Sequence, residues 1–280
     1  MEKLVVTAAL TGNVPTKAQN PNLPVTPEEI AADARRCAEV GASVLHIHAR
    51  DPQQKPTLEV AVFREIARRV KEQAPDLVIQ FSTGARAGRD WEARVNPVRL
   101  LPEMGSFTTG STNMPGLVYE NQPQFLEYLA AVFQETGVKP EIEVFEAGMI
   151  NNALYLVKKG LLDPPLHFNL VLGVPGAMPC SVRNLLFLSE SLPAGSTWTF
   201  TGIGREGIPV AAAALALGGH VRVGLEDNLY LPDGRPAGNA GLVEKVVSLA
   251  REIGREVAGP EEARRILGLD PDKKDQVLGR

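Results

Sequence analysis

The sequence predicts an α/β fold, a single (β/α)8 TIM barrel with an extra C-terminal helix. Three observations carry this. Eight short apolar runs of strand character alternate with eight helix-like segments along the whole chain, the pattern of repeated βα units around a parallel sheet. No Gly/Ser linker, charge block or low-complexity stretch divides them. At 280 residues the chain has a length at which such barrels form one domain. The expected division is therefore a barrel over 1–258, with a helical extension and tail of the same domain over 259–280.

The first strand is expected at 4–9. Its apolar run lacks the long core and cleavage site of a secretory leader, so it reads as a buried strand. Thr26-Pro27-Glu28-Glu29 is a capping box with proline at the first helical position; it opens a helix over 27–41, and Gly41 marks the end. Strand 43–48 follows at once, then helix 59–73. Strands 77–81, 105–109, 141–145 and 167–171 lead into helices 91–100, 122–136, 147–160 and 181–191. Strand 197–201 with helix 207–217, and strand 220–225 with helix 238–256, complete eight units. Pro260 opens one more helix to Leu267, and the charged tail 270–280 is left open as a loose end or a subunit contact.

A 44% hydrophobic share supplies a large core, which excludes extensive disorder. Lys+Arg 29 against Asp+Glu 33, well interspersed, leaves a net charge of −4 and no basic stripe. That excludes nucleic-acid and anionic-membrane partners and favours small-molecule chemistry. The longest apolar stretch, 208–217, is too short to span a bilayer, and Cys37 and Cys180 read as reduced thiols, so a cytoplasmic location is expected.

His46 and His48 stand two apart in a strand, which puts both imidazoles on the inward face at the barrel mouth, where barrel enzymes place their active sites. That spacing suits one metal ion; it also suits two inward polar residues satisfied by hydrogen bonds. In the last strand and its exit, alternation places Arg222 and Glu226 on the inward face, so Glu226 is a third ligand candidate. Two histidines and a carboxylate leave open positions for water or substrate, as in catalytic metal sites. Arg222 suits a substrate carboxylate or, alternatively, an internal ion pair with Glu226 or Asp227. Glu143, inward on the fifth strand, is a candidate acid or base, with structural ion pairing as its rival. Ser82-Thr83-Gly84 after the third strand, and Ser106 and Thr108 on the fourth, offer hydroxyls and N–H groups to a small anion. Arg205, in the glycine-rich exit of the seventh strand before a helix N-terminus, is a candidate for cofactor phosphate; an ordinary tight turn is the alternative.

With these residues assembled, the chain resembles the beta-keto acid cleavage enzymes over nearly its full length. The segments that carry this are Thr7-Ala-Ala-Leu-Thr-Gly12, Pro21-Asn-Leu-Pro-Val-Thr-Pro-Glu-Glu29, Gly41-Ala-Ser-Val-Leu-His-Ile-His48, Gln80-Phe-Ser-Thr-Gly84, Pro102-Glu-Met104, Pro140-Glu-Ile-Glu-Val-Phe-Glu146, Val171-Leu-Gly-Val-Pro-Gly176 and Gly218-Gly-His-Val-Arg-Val-Gly-Leu-Glu-Asp-Asn228. The resemblance implies a zinc-containing barrel, with another divalent metal as the variant, that converts a 3-keto acid and acetyl-CoA into acetoacetate and a new acyl-CoA. It implies a homo-oligomer, with a tetramer favoured. It assigns His46, His48 and Glu226 to the metal, Ser82 and Ser106 to the substrate carboxylate, and Arg222, Asp227 and Glu143 to catalysis. One departure concerns specificity: relatives that take an amino-bearing substrate carry an acid where this chain has Val14, so a neutral substrate tail is expected here.

Two other readings stand beside this one. An amidohydrolase-like metal enzyme also begins from a His-x-His pair, but it wants further histidines at the mouth, and His167 and His220 open their strands at the opposite face. A non-catalytic metal- or CoA-binding barrel leaves Arg222, Asp227 and Glu143 without a task.

Overall fold

The computed structural model describes residues 1–231 and 233–279; Arg280, the last residue of the expected tail, lies outside them. Eight parallel strands close into a barrel, each hydrogen-bonded to its sequence neighbours, with β1 closing onto β8. They are β1 (Val6–Ala9), β2 (Val44–Ile47), β3 (Val78–Phe81), β4 (Met104–Thr108), β5 (Lys139–Val144), β6 (His167–Leu172), β7 (Thr197–Gly202) and β8 (His220–Val223). The helices after them are α1 (Pro27–Glu39), α2 (Val60–Gln73), α3 (Trp91–Arg99), α4 (Pro123–Thr136), α5 (Gly148–Lys158), α6 (Val182–Glu190), α7 (Gly207–Ala216) and α8 (Asn239–Glu252). The Thr26 capping box forms as its sequence dictates: the Thr26 hydroxyl accepts from Glu29 N, and the Glu29 carboxylate accepts from Thr26 N.

Alternation along each strand sorts the core into two regions. Leu45, Ile47, Ile79, Phe81, Phe107 and Ile142 are buried on the outer face and pack against the helices. The inner face is layered. At the bottom, Val5, Val44, Val78 and Met104 cluster with Ala263 and Leu267 of α9 (Pro260–Leu267). The extra helix is thus the plug of the barrel, and burying Leu267 alone is worth about 2 kcal/mol. Arg264 on that helix grips Glu103 with both prongs, at 2.6 and 2.8 Å. Above the plug the interior turns polar. Glu141 lies 3.3 Å from His167 Nε2 and accepts from Asn169 at 3.1 Å, while Thr201 donates to Asn169 at 2.7 Å. His167 and His220 sit at the strand starts, and His220 Nδ1 accepts from Val5 N.

β1, β2, β3 and β8 are shorter than the sequence predicts, whereas β5, β6 and β7 each run one residue longer. β2 stops at Ile47, because the chain then forms a narrow ribbon, Ala49–Arg50 against Pro56–Thr57. β8 stops at Val223, where Gly224 begins a turn. A second ribbon, Thr112–Met114 against Leu117–Tyr119, folds over the mouth from the β4 exit, and no periodic pattern announced it.

Candidate active site

β2 delivers His46 and, one step past its end, His48, and their Nε2 atoms lie 3.2 Å apart. Glu226 Oε1 is 3.2 Å from His48 Nε2 and 3.7 Å from His46 Nε2. Glu226 reaches this point on a turn rather than by strand alternation. Asp227 N and Asn228 N both donate to Gly224 O, and Leu225 N donates to Asn239 Oδ1 at 2.7 Å. Gly224 is obligatory there, since a Cβ would fall 2.0 Å from Ala9 O. The turn brings consecutive carboxylates, Glu226 and Asp227, to one guanidinium. Arg222 Nη2 donates to Glu226 at 2.6 Å, and Arg222 Nε and Nη2 grip Asp227 at 3.0 Å each. Strict alternation would have sent Asp227 outward. The ion pair weighed for Arg222 therefore forms, with both acids.

The three donors fit a divalent cation. Ligand atoms held 2.0–2.1 Å from a tetrahedral ion lie about 3.3 Å from one another, close to the three distances here. Burial, reinforced by the Arg222 charge, pushes His46 down to about 3, so its imidazole is neutral, as a ligand must be. His46 Nδ1 lies 2.5 Å from Gln80 Oε1, which fixes the proton on Nδ1 and turns the Nε2 lone pair to the centre. Burial opposes ionisation of Glu226, but Arg222 and the two histidines overcome it and hold the carboxyl well below the usual range. Its second oxygen, Oε2, is buried without a hydrogen-bond partner among the described residues.

The site opens into a cavity of about 260 Å³. Its walls include Val14, His48, Ser82, Gly84, Glu143, Arg222, Glu226 and Asp227 from the expected set. Ser82 Oγ accepts from Gly84 N at 3.1 Å, which leaves the hydroxyl proton free for a ligand. Thr83, Ser106 and Thr108 are buried behind this surface. Thr83 N donates to Ser106 Oγ at 3.2 Å, and Thr83 Oγ1 donates to Ser106 O at 2.8 Å. Thr108 donates to Glu143 at 2.6 Å. Burial pushes the Glu143 carboxyl up to about 7, against the pull of Arg222, whose Nη1 is 3.6 Å away and has no hydrogen-bond partner among the described residues. Burial likewise raises Asp227, with the adjacent Glu226 charge acting in the same direction. Arg205 is exposed, pairs with Glu206 at 3.1 Å, and does not line the cavity.

Sequence reasoning passed over four residues here. Gln80 precedes Ser82 by two, so the same alternation that turned Ser82 inward marks it. Arg50 donates to Gly12 O and Pro15 O at 2.9 Å each and so fixes the loop that carries Val14. Arg86 and Tyr119 also face the cavity, from a 3-10 turn and the second ribbon, where no sequence periodicity applies.

The profile of one family, described as beta-keto acid cleavage enzyme, matches residues 3–269. The chain is 46% identical over 271 residues to a 3-keto-5-aminohexanoate cleavage enzyme of Fusobacterium nucleatum, covering 96% of this chain and 99% of that one. It is 38% identical to a 3-oxoadipate:acetyl-CoA acetyltransferase of Cupriavidus necator, over 95% of this chain and 94% of that one. Among solved structures, a ternary complex of ObcA with a C4-CoA adduct and oxalate superposes with a TM-score of 0.79 at 25% identity, over 89% of this chain and 68% of that one. With the family profile spanning nearly the whole chain and close relatives matched end to end, this protein is an enzyme of the beta-keto acid cleavage family.

Proposed function

We propose that the enzyme converts a 3-keto acid and acetyl-CoA into acetoacetate and a new acyl-CoA, with zinc held by His46, His48 and Glu226. The observation that carries this reading is the donor triangle of 3.2, 3.2 and 3.7 Å beside Arg222 and two further carboxylates, in a chain 38% identical to a relative named 3-oxoadipate:acetyl-CoA acetyltransferase. A divalent cation bound there supplies Lewis acidity toward the keto oxygen.

The remaining chemistry falls to the chain's own groups. Ser82 donates its free proton to the substrate carboxylate, and Ser106 and Thr83 hold that segment in place. Asp227 removes the C2 proton and relays it to Glu143, whose carboxyl, pushed up to about 7, is matched to accept it at neutral pH. The resulting carbanion attacks the thioester carbonyl and expels the CoA thiolate. The thiolate adds to the 3-keto carbon, and cleavage between C2 and C3, with the abstracted proton returned to C2, releases acetoacetate and the acyl-CoA. Arg222 Nη1 stabilises the oxyanions that form; it is buried and without a hydrogen-bond partner among the described residues, which supports this role. No protein nucleophile is required.

The tail of the substrate is neutral in this reading. Val14 offers no counter-charge, and Met114, Phe145, Val171 and Ile203 make the walls largely apolar. Exposed Leu154 and Tyr155 on α5, with Val182, Leu186 and Phe187 on α6, support a homo-oligomer. No described helix is long and apolar enough to cross a membrane; a cytoplasmic location remains part of the proposal. The test is to incubate metal-replete protein with acetyl-CoA and a panel of 3-keto acids, following acyl-CoA and acetoacetate by mass spectrometry. Product from none of them rejects the reading.

A further inference from the structure

Beside the catalytic cavity lies a second groove of about 310 Å³, between the turn at 85–89 and the ribbon strand Leu117–Tyr119. The two spaces share Arg86 and Tyr119 as a common wall, so the groove continues the cavity outward. Its lining contains two arginines, Arg86 and Arg89, and no carboxylate. Arg86 forms no ion pair among the described residues, and its side-chain hydrogen bond goes to Met114 Sδ at 3.2 Å. Arg89 is largely exposed and stands 3.9 Å from Glu120. The opposite wall is apolar, with Val118 53% exposed. A buried arginine fixes both sides: Arg94 donates to Thr83 O at 2.9 Å and to Glu120 O at 3.1 Å, which ties the turn to the ribbon.

We propose that this groove receives the phosphate end of the coenzyme, with Arg86 and Arg89 as its anion-binding groups and the Leu117–Tyr119 strand as the apolar support for the pantetheine arm. The proposal rests on the use of acetyl-CoA set out above. The arm holds the phosphates well away from the thioester, so the cations that bind them belong in an outward annexe rather than beside the metal donors. Arg86, with no ion pair among the described residues, and Arg89, whose pair with Glu120 is long at 3.9 Å, suit phosphate oxygens better than Arg205, which is held by Glu206 at 3.1 Å.

Calorimetric titration of the metal-loaded protein with CoA and with pantetheine, which lacks the phosphates, tests this. Arg86→Gln and Arg89→Gln should each weaken CoA binding about tenfold and make it less dependent on salt, with pantetheine affinity unaltered. If the unaltered protein binds CoA and both variants bind it equally well, this proposal fails and the cleavage reading stands. Equal losses for CoA and pantetheine also overturn it, because the arginines would then not be reading phosphate. A variant that retains CoA affinity but loses turnover of a keto acid with a tail carboxylate would assign Arg86 to the substrate instead. If the unaltered protein fails to bind CoA, both proposals fall.

Discussion

His46 turns Nε2 toward His48 and Glu226 because Gln80 Oε1 lies 2.5 Å from its other ring nitrogen. The amide oxygen holds the proton on Nδ1 and keeps the ring from rotating, while Gln80 itself is fully buried. Replacing Gln80 with leucine removes that constraint at nearly constant volume. Zinc affinity should fall about 10- to 100-fold, as for lost outer partners of metal-bound histidines. Competition against a chromophoric chelator measures it. Unchanged affinity in a folded Gln80→Leu protein would show that His46 is oriented by packing alone.

Gly12 is a second, less visible support of the centre. Its φ is +63°, and a Cβ built there falls 2.6 Å from Glu226 Cγ. Gly12→Ala therefore costs about 1 kcal/mol in backbone strain and also displaces Glu226. The expected result is a small drop in melting temperature with a much larger loss of bound metal. A variant with full metal stoichiometry would mean that Glu226 moves without leaving the donor set.

Arg222 is surrounded by Glu226, Asp227 and Glu143 at 2.6, 3.0 and 3.6 Å. Arg222→Met leaves three carboxylates, two of them buried, with their counter-charge gone, a change of about 3–5 kcal/mol in stability. Because a divalent cation neutralises part of the same charge, zinc should recover more stability in the variant than in the parent. Urea unfolding with and without metal reads both numbers. Equal recovery would separate Arg222 electrostatically from the metal donors.

The pH dependence follows from Glu143. A base must be ionised to accept a proton, so kcat/KM should rise with pH and level off above the carboxyl's pKa. Burial pushes that value up to about 7, and a bound dication draws it down, so the rising limb is expected at or below pH 7. Stability moves the other way. A carboxyl raised on folding costs stability as pH climbs from its unfolded value through 7, and Glu143→Gln should remove that slope along with the activity limb. A Glu143→Gln enzyme with the parent's profile would exclude Glu143 as the titrating base.

Much of this architecture was legible in the sequence because barrel strands obey simple alternation. His46, Ser82 and Glu143 are turned inward by the same period of two that buries Leu45, Phe81 and Ile142 outside. The eight βα units and the closing helix were readable for a related reason, since each is local. Alternation fails where the chain leaves the sheet. Glu226 and Asp227 meet Arg222 only through the turn that begins at Gly224, and Tyr119 and Arg86 arrive on a ribbon and a 3-10 turn whose placement depends on tertiary anchors such as Arg94. The depth at which Ser106 and Thr108 are buried was equally out of reach, because it depends on Thr83 and Glu143 in neighbouring strands.

Val14 carries the argument about substrate choice. It lines the cavity while remaining 60% exposed, and Arg50 holds its loop by the carbonyls of Gly12 and Pro15, so a new side chain at position 14 has a defined place to point. A glutamate there faces a substrate tail at close range but in partial contact with water, so its attraction for an ammonium group is screened. Val14→Glu should shift the ratio of kcat/KM values about tenfold toward 5-amino-substituted 3-keto acids and away from their unsubstituted counterparts, chiefly through KM. Parallel assays of both substrates with both enzymes give that ratio directly. If the parent already prefers the ammonium-bearing acid, the neutral-tail assignment is wrong and some other group in the cavity, such as Asn13, supplies the recognition.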